Sequence, residues 1–422
     1  MRVTLINTTD SGGGAPVACR RLMNALDASN QVDVSMLVQQ QKLADRRIQS
    51  HIKTFFDKLI AKGNFLAERL PFIGFHAKDK SVRFAFSTAT VGADISADPV
   101  VKNADILHLH WINSGFLSVD NLKQLVLLNK PVVWTLHDMW AFTGGCHYAG
   151  SCTHFEQECG HCPFLRDAGE HDLSRKGWFN KQELYQLSNK IVFVACSNWL
   201  ADVARQSSLL NGFKVIAIPN PIDTSVFHPK NKEEIRKKWK ISHDVKIVMF
   251  GAANVTDRRK GITYLVEALK RYKSENHPAI EIVMVGKNKS FDTSQIPFPV
   301  HELEMISSEN EMIDLYNLAD VFVLPSIEDN LPNMVMEAMA CSTPVVAFNT
   351  GGLGDLIDHQ VNGYLADYKS SEDLAFGINW VLSCDADLNL SEQARKKVID
   401  SFSPDKIAAQ YVDVYQSLAH EQ

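Results

Sequence analysis

Short apolar runs alternate with longer amphipathic stretches in both halves of the chain. In the first half the runs are residues 3–6, 34–38, 106–109, 132–136 and 191–196, and a helical pattern over 17–26 follows the first of them. In the second half they are residues 247–250, 282–285, 321–324 and 345–348, with helical patterns at 262–270 and 335–340. Apolar runs this short, bounded by turn signals, predict strands buried on both faces. Their alternation with helices predicts a parallel sheet covered by helices. Between the two series, residues 215–229 (VIAIPNPIDTSVFHP) carry three prolines and an Asp-Thr turn signal. The expected class is therefore α/β, with two doubly wound Rossmann-like domains. Ligands of such sheets bind outside the carboxyl ends of the strands, so the residues just after each strand are the first to inspect.

Composition narrows the function. At 422 residues the chain has room for two cores of ordinary size. A net charge of −6 and a pI near 6.2 argue against nucleic acid as the partner, because a polyanion needs a broad basic face. The opening MRVTLIN already reads as a strand, with neither the apolar core nor the cleavage site of a signal peptide. No window approaches the ~20 apolar residues of a membrane-spanning helix. A cytoplasmic, reducing location is expected, so the eight cysteines are not read as a disulfide framework. There is neither an internal repeat nor a low-complexity tract.

The chemistry concentrates in residues 325–344, PSIEDNLPNMVMEAMACSTP. After the strand at 321–324, Asp329 or Asn330 can cap the helix that follows, with Pro332 in its first turn. The exposed N–H groups and dipole of such a helix start favour an anion, so a diphosphate can rest on the turn of Leu331, Pro332 and Asn333. Glu337, eight residues after Asp329, can then accept hydrogen bonds from a vicinal diol such as ribose. An acidic surface helix start is the plainer alternative. Three adjacent glycines in NTTDSGGGAP, after the first strand, let the backbone approach a phosphate or sugar, although their spacing is not that of a dinucleotide site.

The carboxylate pair resembles the E-x7-E signature of the retaining glycosyltransferases of family four, which have the GT-B fold. Further matches extend the resemblance over nearly the whole chain. Two positions depart from the signature: Asp329 stands where glutamate is usual, with Glu328 one place early, and Ser342 replaces the glycine after the helix. The resemblance implies an acceptor-side domain over 1–225, a nucleotide-sugar-binding domain over 226–403, and a last helix over 404–422 returning to the first domain. It implies transfer of a hexosyl residue from a nucleotide-sugar to a glycan, with retention and without a catalytic metal. Residues 215–229 then match the interdomain passage.

The same resemblance implies a role for each matching residue. Asp329, or Glu328 in its place, meets sugar hydroxyls, and Glu337 the ribose. Lys260 faces the diphosphate, where cationic stabilisation of the leaving group is typically the largest catalytic term. The arginine usual on the same loop is Ala252 here, so Arg258 or Arg259 must supply the second charge. Gly286 and the turn at 304–306 match the nucleobase pocket. Gly13 and Gly14 match the first domain's glycine loop. His137 and Asp138, directly after the strand at 132–136, match the position beside the transferred sugar. Because retaining transfer in this family proceeds on the donor's front face, His137 is expected to position or polarise rather than to act as an obligatory base. His108 and His110 either line the same region or pack in the core.

Two segments stand outside the signature. Cys146, Cys152, Cys159 and Cys162 fall within seventeen residues of a loop at 144–163 and end in Cys-x2-Cys, close to the spacing of a structural zinc site. His147, His154 or His161 could replace one thiol, and four ordinary reduced cysteines are the alternative. Between residues 53 and 83, Lys53, Lys58, Lys62, Arg69, Lys78, Lys80 and Arg83 interleave with Phe55, Phe56, Phe65, Leu66, Phe72, Ile73 and Phe75. This reads equally as a basic amphipathic element for an anionic membrane or as a shielded surface helix. The first reading suits a lipid-linked glycan acceptor, as in surface polysaccharide assembly. A GT-B nucleotide-sugar epimerase and a scaffold without chemistry remain the alternative functions.

Overall fold

A computed structural model of the protein describes residues 1–72, 78, 84–272, 278–306 and 308–420, leaving aside the side chains of 385–387. The chain divides into two compact units, Met1–Asn220 with Ile407–Gln422, and Pro221–Lys406.

The first unit is a seven-stranded parallel sheet in the order β3-β2-β1-β4-β5-β6-β7. Its strands are β1 (Arg2–Thr9), β2 (Asp33–Gln40), β3 (Ile48–Ser50), β4 (Ile106–Leu109), β5 (Val132–Leu136), β6 (Ile191–Ala195) and β7 (Lys214–Ala217). The two-residue period of a strand sends alternate side chains into two separate cores. Val132, Trp134 and Leu136 of β5 join one core, and Val133 the other. That second core also takes Ile407, Ala408, Tyr411, Val412, Tyr415 and Leu418 from the helix Pro404–His420. The helix is pinned further by Tyr415 Oη, 2.7 Å from His108 Nδ1, and Tyr411 Oη, 2.8 Å from Thr135 Oγ1.

The second unit is a six-stranded parallel sheet in the order β10-β9-β8-β11-β12-β13. Its strands are β8 (Lys246–Asn254), β9 (Ile280–Lys287), β10 (Val300–Leu303), β11 (Val321–Leu324), β12 (Val345–Phe348) and β13 (Gly363–Ala366). Val323, Val346 and Phe348 pack with Leu265 and Leu269 of the helix Ile262–Arg271 in one core.

Several expectations need correction. The proline-rich passage contains β7, because Lys214 to Ala217 pair with β6 before the first proline at 219. The run at 247–250 continues to Asn254 through an irregular register with β9, so the loop carrying Lys260 begins later than its apolar run implies. The helix after β11 spans Asn333–Ala340, with Pro332 in the cap position and no side-chain cap. Asp329 does not cap it, because its carboxylate is bound elsewhere. At the other end Ser342 takes φ 63, the left-handed conformation that explains why glycine is usual there.

Thr54 and Asp57 form a capping box that starts the helix Phe55–Arg69. Phe55 and Phe56 are 70% and 74% exposed, and Leu59, Ile60, Phe65 and Leu66 are exposed as well. Arg69 and Phe72, by contrast, are buried and do not belong to a surface patch. Ile73, Phe75, Lys80 and Arg83 lie outside the described residues. Among the described residues no helix is long and apolar enough to cross a membrane.

Candidate functional site

In the second unit, the turn after β8 and the turn after β11 converge. Asp257 caps the short helix Arg258–Lys260 and pairs with Arg259 at 2.8 Å. Gly261 follows with φ 68, and a Cβ there would lie 1.9 Å from the Pro325 carbonyl oxygen, so only glycine permits this approach. The Ile327 N–H donates to the Arg259 carbonyl at 2.8 Å. This contact of two backbones sets Lys260 Nζ 2.5 Å from Asp329 Oδ2, which also accepts from Ser326 Oγ at 3.1 Å. The Lys260 side chain retains 23% exposure and two further N–H donors.

Glu337 lies one turn inside the helix Asn333–Ala340. Its Oε2 accepts from the buried Tyr316 phenol at 2.7 Å, which fixes the carboxylate's direction. Gly286, with φ 133, would place a Cβ 1.7 Å from the Ala252 carbonyl oxygen, so it serves the close packing of β9 on β8. Ala252 itself is buried inside β8. Arg258 is exposed, whereas Arg259 is held by Asp257. The turn at 304–306 follows β10. Thus Lys260, Asp329, Arg259 and the start of the 333–340 helix share one region.

In the first unit, Gly13 caps the helix Gly14–Ala28, and a Cβ on it would meet only Pro16, at 3.9 Å. Space is therefore open above this helix start. The buried Asp10 carboxylate holds the preceding turn by accepting from the N–H groups of Lys42 and Leu43. After β5, His137 Nε2 is 3.0 Å from His110 Nδ1, and His137 Nδ1 is 3.6 Å from Cys196 Sγ. Burial draws the His137 pKa down to about 4, against the raising effect of Asp138, so the ring is neutral at pH 7. His108 and His110 are buried core residues, His108 lying between Tyr415 and Thr135.

Asp138 is occupied by the protein. It accepts from Trp111 Nε1 at 3.0 Å and from the Trp140 N–H at 2.8 Å, and lies 2.7 Å from His147 Nδ1. Burial pushes its carboxyl up, but His147 and these donors hold it below the usual carboxylate range. His147 Nε2 is in turn 2.9 Å from Ser87 Oγ, which removes His147 from the pool of alternative metal ligands.

Two matches decide the family. Residues 12–226 match the model described as Glycosyltransferase Family 4, and residues 231–397 match Glycosyl transferases group 1. The chain belongs to the family 4 glycosyltransferases. This glycosyltransferase is 30% identical over 328 residues to an uncharacterized glycosyltransferase of Methanocaldococcus jannaschii, covering 75% of this chain and 76% of that one. It is 23% identical over 340 residues to an Escherichia coli protein named as a putative colanic acid biosynthesis glycosyl transferase, covering 76% and 78%. Anabaena HepE in complex with UDP-glucose superposes with a TM-score of 0.63 at 16% identity, over 99% of this chain and 100% of that one. The fold is GT-B.

Tyr316, Ser326 and Asp257 are not apparent from the glycosyltransferase's sequence pattern. Asp257 and Ser326 leave local signals, a cap before Arg258 and a hydroxyl three residues before Asp329. Tyr316 leaves none, because its partner is 21 residues away on another helix.

Proposed function

We propose that this glycosyltransferase is a retaining enzyme that moves a hexosyl residue from a nucleotide-sugar to a hydroxyl of a lipid-linked glycan during surface polysaccharide assembly. The observation that carries the reading is the Lys260–Asp329 pair beside a helix start whose Glu337 is oriented by Tyr316. Lys260, anchored by Asp329, spends its remaining donors on the diphosphate, with Arg258 and Arg259 as further charge. Asp329 and the backbone of Leu331, Pro332 and Asn333 meet the sugar and phosphate. Glu337 takes the ribose hydroxyls, and Gly286 borders the base. Gly13 and Gly14 admit the donor closely.

In the transfer, the bond from the anomeric carbon to the diphosphate oxygen breaks and a bond to the acceptor oxygen forms on the same face. The acceptor proton leaves with the departing phosphate. Neutral His137 positions or polarises the sugar, while Asp138 acts through His147 and the loop rather than on substrate. A UDP-glucose complex of a protein with the same fold and an Escherichia coli relative named for colanic acid synthesis support the donor class and the pathway class.

The lipid-linked acceptor is supported by the exposed Phe55 and Phe56 beside exposed Lys53, Lys58 and Lys62, a surface suited to anionic lipid on the cytoplasmic face of a membrane. Charge-reversed Lys58→Glu/Lys62→Glu protein should lose sedimentation with anionic vesicles. Equal binding to neutral and anionic vesicles would sink the membrane reading.

The central test is a panel of nucleotide-sugars and glycan acceptors, with the product's anomeric configuration read by NMR. Loss of transfer in Glu337→Ala, with retention in the wild-type product, is expected. Full activity of Glu337→Ala, or an inverted product, refutes the assignment. Conversion of donor alone to another nucleotide-sugar would establish the epimerase instead.

A further inference from the structure

The four cysteines of the 144–163 loop are gathered around one small cavity. Cys146, Cys152, Cys159 and Cys162 all line it, beside His154, and its volume is about 20 Å³. That is room for one water-sized occupant. All four are free thiols. Cys159, Gly160 and His161 take φ values of 55, 98 and 47, an unusual left-handed succession for two non-glycine residues. Cys159, in this curl, and Cys162, just after it, both line the cavity.

One sulfur already accepts a backbone hydrogen bond. The Gly144 N–H donates to Cys159 Sγ at 3.2 Å. Such a bond is the usual support of metal-bound sulfur. Next to the cavity is a buried lysine. Lys181 is 2% exposed, donates from Nζ to the Thr143 carbonyl at 2.8 Å and to the Trp140 carbonyl, and lies 3.8 Å from the Trp140 ring centroid. Among the described residues no carboxylate forms an ion pair with it, and burial draws its pKa down to about 7. Thiolates on a divalent metal would supply an anion that favours the charged form of this lysine.

We propose that Cys146, Cys152, Cys159 and Cys162 bind one zinc ion as a closed structural site, with Lys181 compensating its charge. Four thiols lose four protons to one divalent ion, and the resulting tetrathiolate carries two negative charges. As the side chains stand, no three metal-ligating groups among the described residues converge on one point. Loading therefore turns the thiols inward to the Zn–S distance of about 2.3 Å. Two of the histidines stand outside this set, His147 held by Asp138 and Ser87 and His161 exposed; His154, whose Nδ1 is 2.8 Å from the Gly160 carbonyl oxygen, lines the cavity beside the thiols. Through Lys181 the metal braces the carbonyls of Trp140 and Thr143, in the segment that begins at Asp138. The site is independent of which sugar the enzyme transfers.

The test is metal analysis of the full chain purified without chelator or added zinc. About one zinc per chain is expected, released stoichiometrically as a mercurial reagent consumes four thiols. Cobalt exchange should produce thiolate-to-metal charge transfer and tetrahedral d–d bands. Cys159→Ser/Cys162→Ser should lose the metal while Cys384→Ser keeps it. Lys181→Met should weaken zinc about 10–100-fold in competition with a chromogenic chelator. Wild-type protein that carries no zinc and takes up no cobalt with its thiols reduced overturns the proposal, as does metal retained by Cys159→Ser/Cys162→Ser. The wild-type measurements stand alone, so misfolding of a variant does not blunt the test.

Discussion

Replacing Gly261 by alanine should damage both stability and donor use, for one geometric reason. The added Cβ would lie 1.9 Å from the Pro325 carbonyl oxygen, and contacts below 3.0 Å are not tolerated, so the two backbones must part by roughly 1 Å. Alanine at φ 68 adds about 1–2 kcal/mol of conformational cost, and overpacking against backbone, which cannot rotate away, adds about 1–3 kcal/mol. A loss centred on about 3 kcal/mol in a unit of this size lowers its Tm by about 6–12 °C. The same displacement draws Lys260 away from Asp329, and a 1 Å error in a charged group can cost about a hundredfold in turnover. Calorimetry and initial rates with a nucleotide-sugar donor read the two effects. Gly169→Ala, whose Cβ would meet nothing within 4 Å, is the control and should leave both unchanged. A Gly261→Ala protein with Tm within about 2 °C of wild type and kcat/KM within about twofold would show that the backbone contact does not hold the site.

Tyr316→Phe keeps the ring and removes one hydrogen bond to Glu337, so the donor KM should rise about tenfold with kcat less affected; an unchanged KM would detach Tyr316 from donor binding. His108 and His137 are drawn down to about 3 and about 4 by burial, so between pH 6.5 and 4 the unfolded chain takes up protons that the folded chain refuses. Stability should be fully present above pH 6.5 and fall as pH drops, by up to about 1.4 kcal/mol per pH unit per histidine. His108→Gln should show a shallower decline in Tm from pH 7 to 5, and an identical slope would contradict the assignment. Asp138→Ala leaves Trp111, the Trp140 N–H and His147 without their common acceptor, so unfolding in urea should require about 3 kcal/mol less; a loss below about 0.5 kcal/mol would show that the anchor is dispensable.

The candidate residues were legible as positions because they lie where strands end. Apolar runs and turn signals mark the strands that His137, Lys260 and Asp329 follow, and the resemblance to family four singles out these residues there. The short strands β3, β7, β10 and β13 were not legible. Val300 and His301 of β10 are only half-buried, and a half-buried run of four residues carries too little period to stand out from a loop. The buried state of Arg69 was equally hidden, since its guanidinium lies over the rings of Phe65 and Phe84, a contact that composition does not encode.

The alternation of strand and helix, the family, and the residue types at the strand ends can all be read from the chain alone, because burial on two faces imposes a local pattern on side chains. What those residues touch is settled by long-range packing. Lys260 meets Asp329 across 69 residues, Glu337 meets Tyr316, and Asp138 turns inward to His147. Packing also gathers four thiols around one cavity beside a buried lysine. Such pairings arise where distant backbones come together, as at Gly261 and Pro325, and an approach at that range leaves no period in the chain.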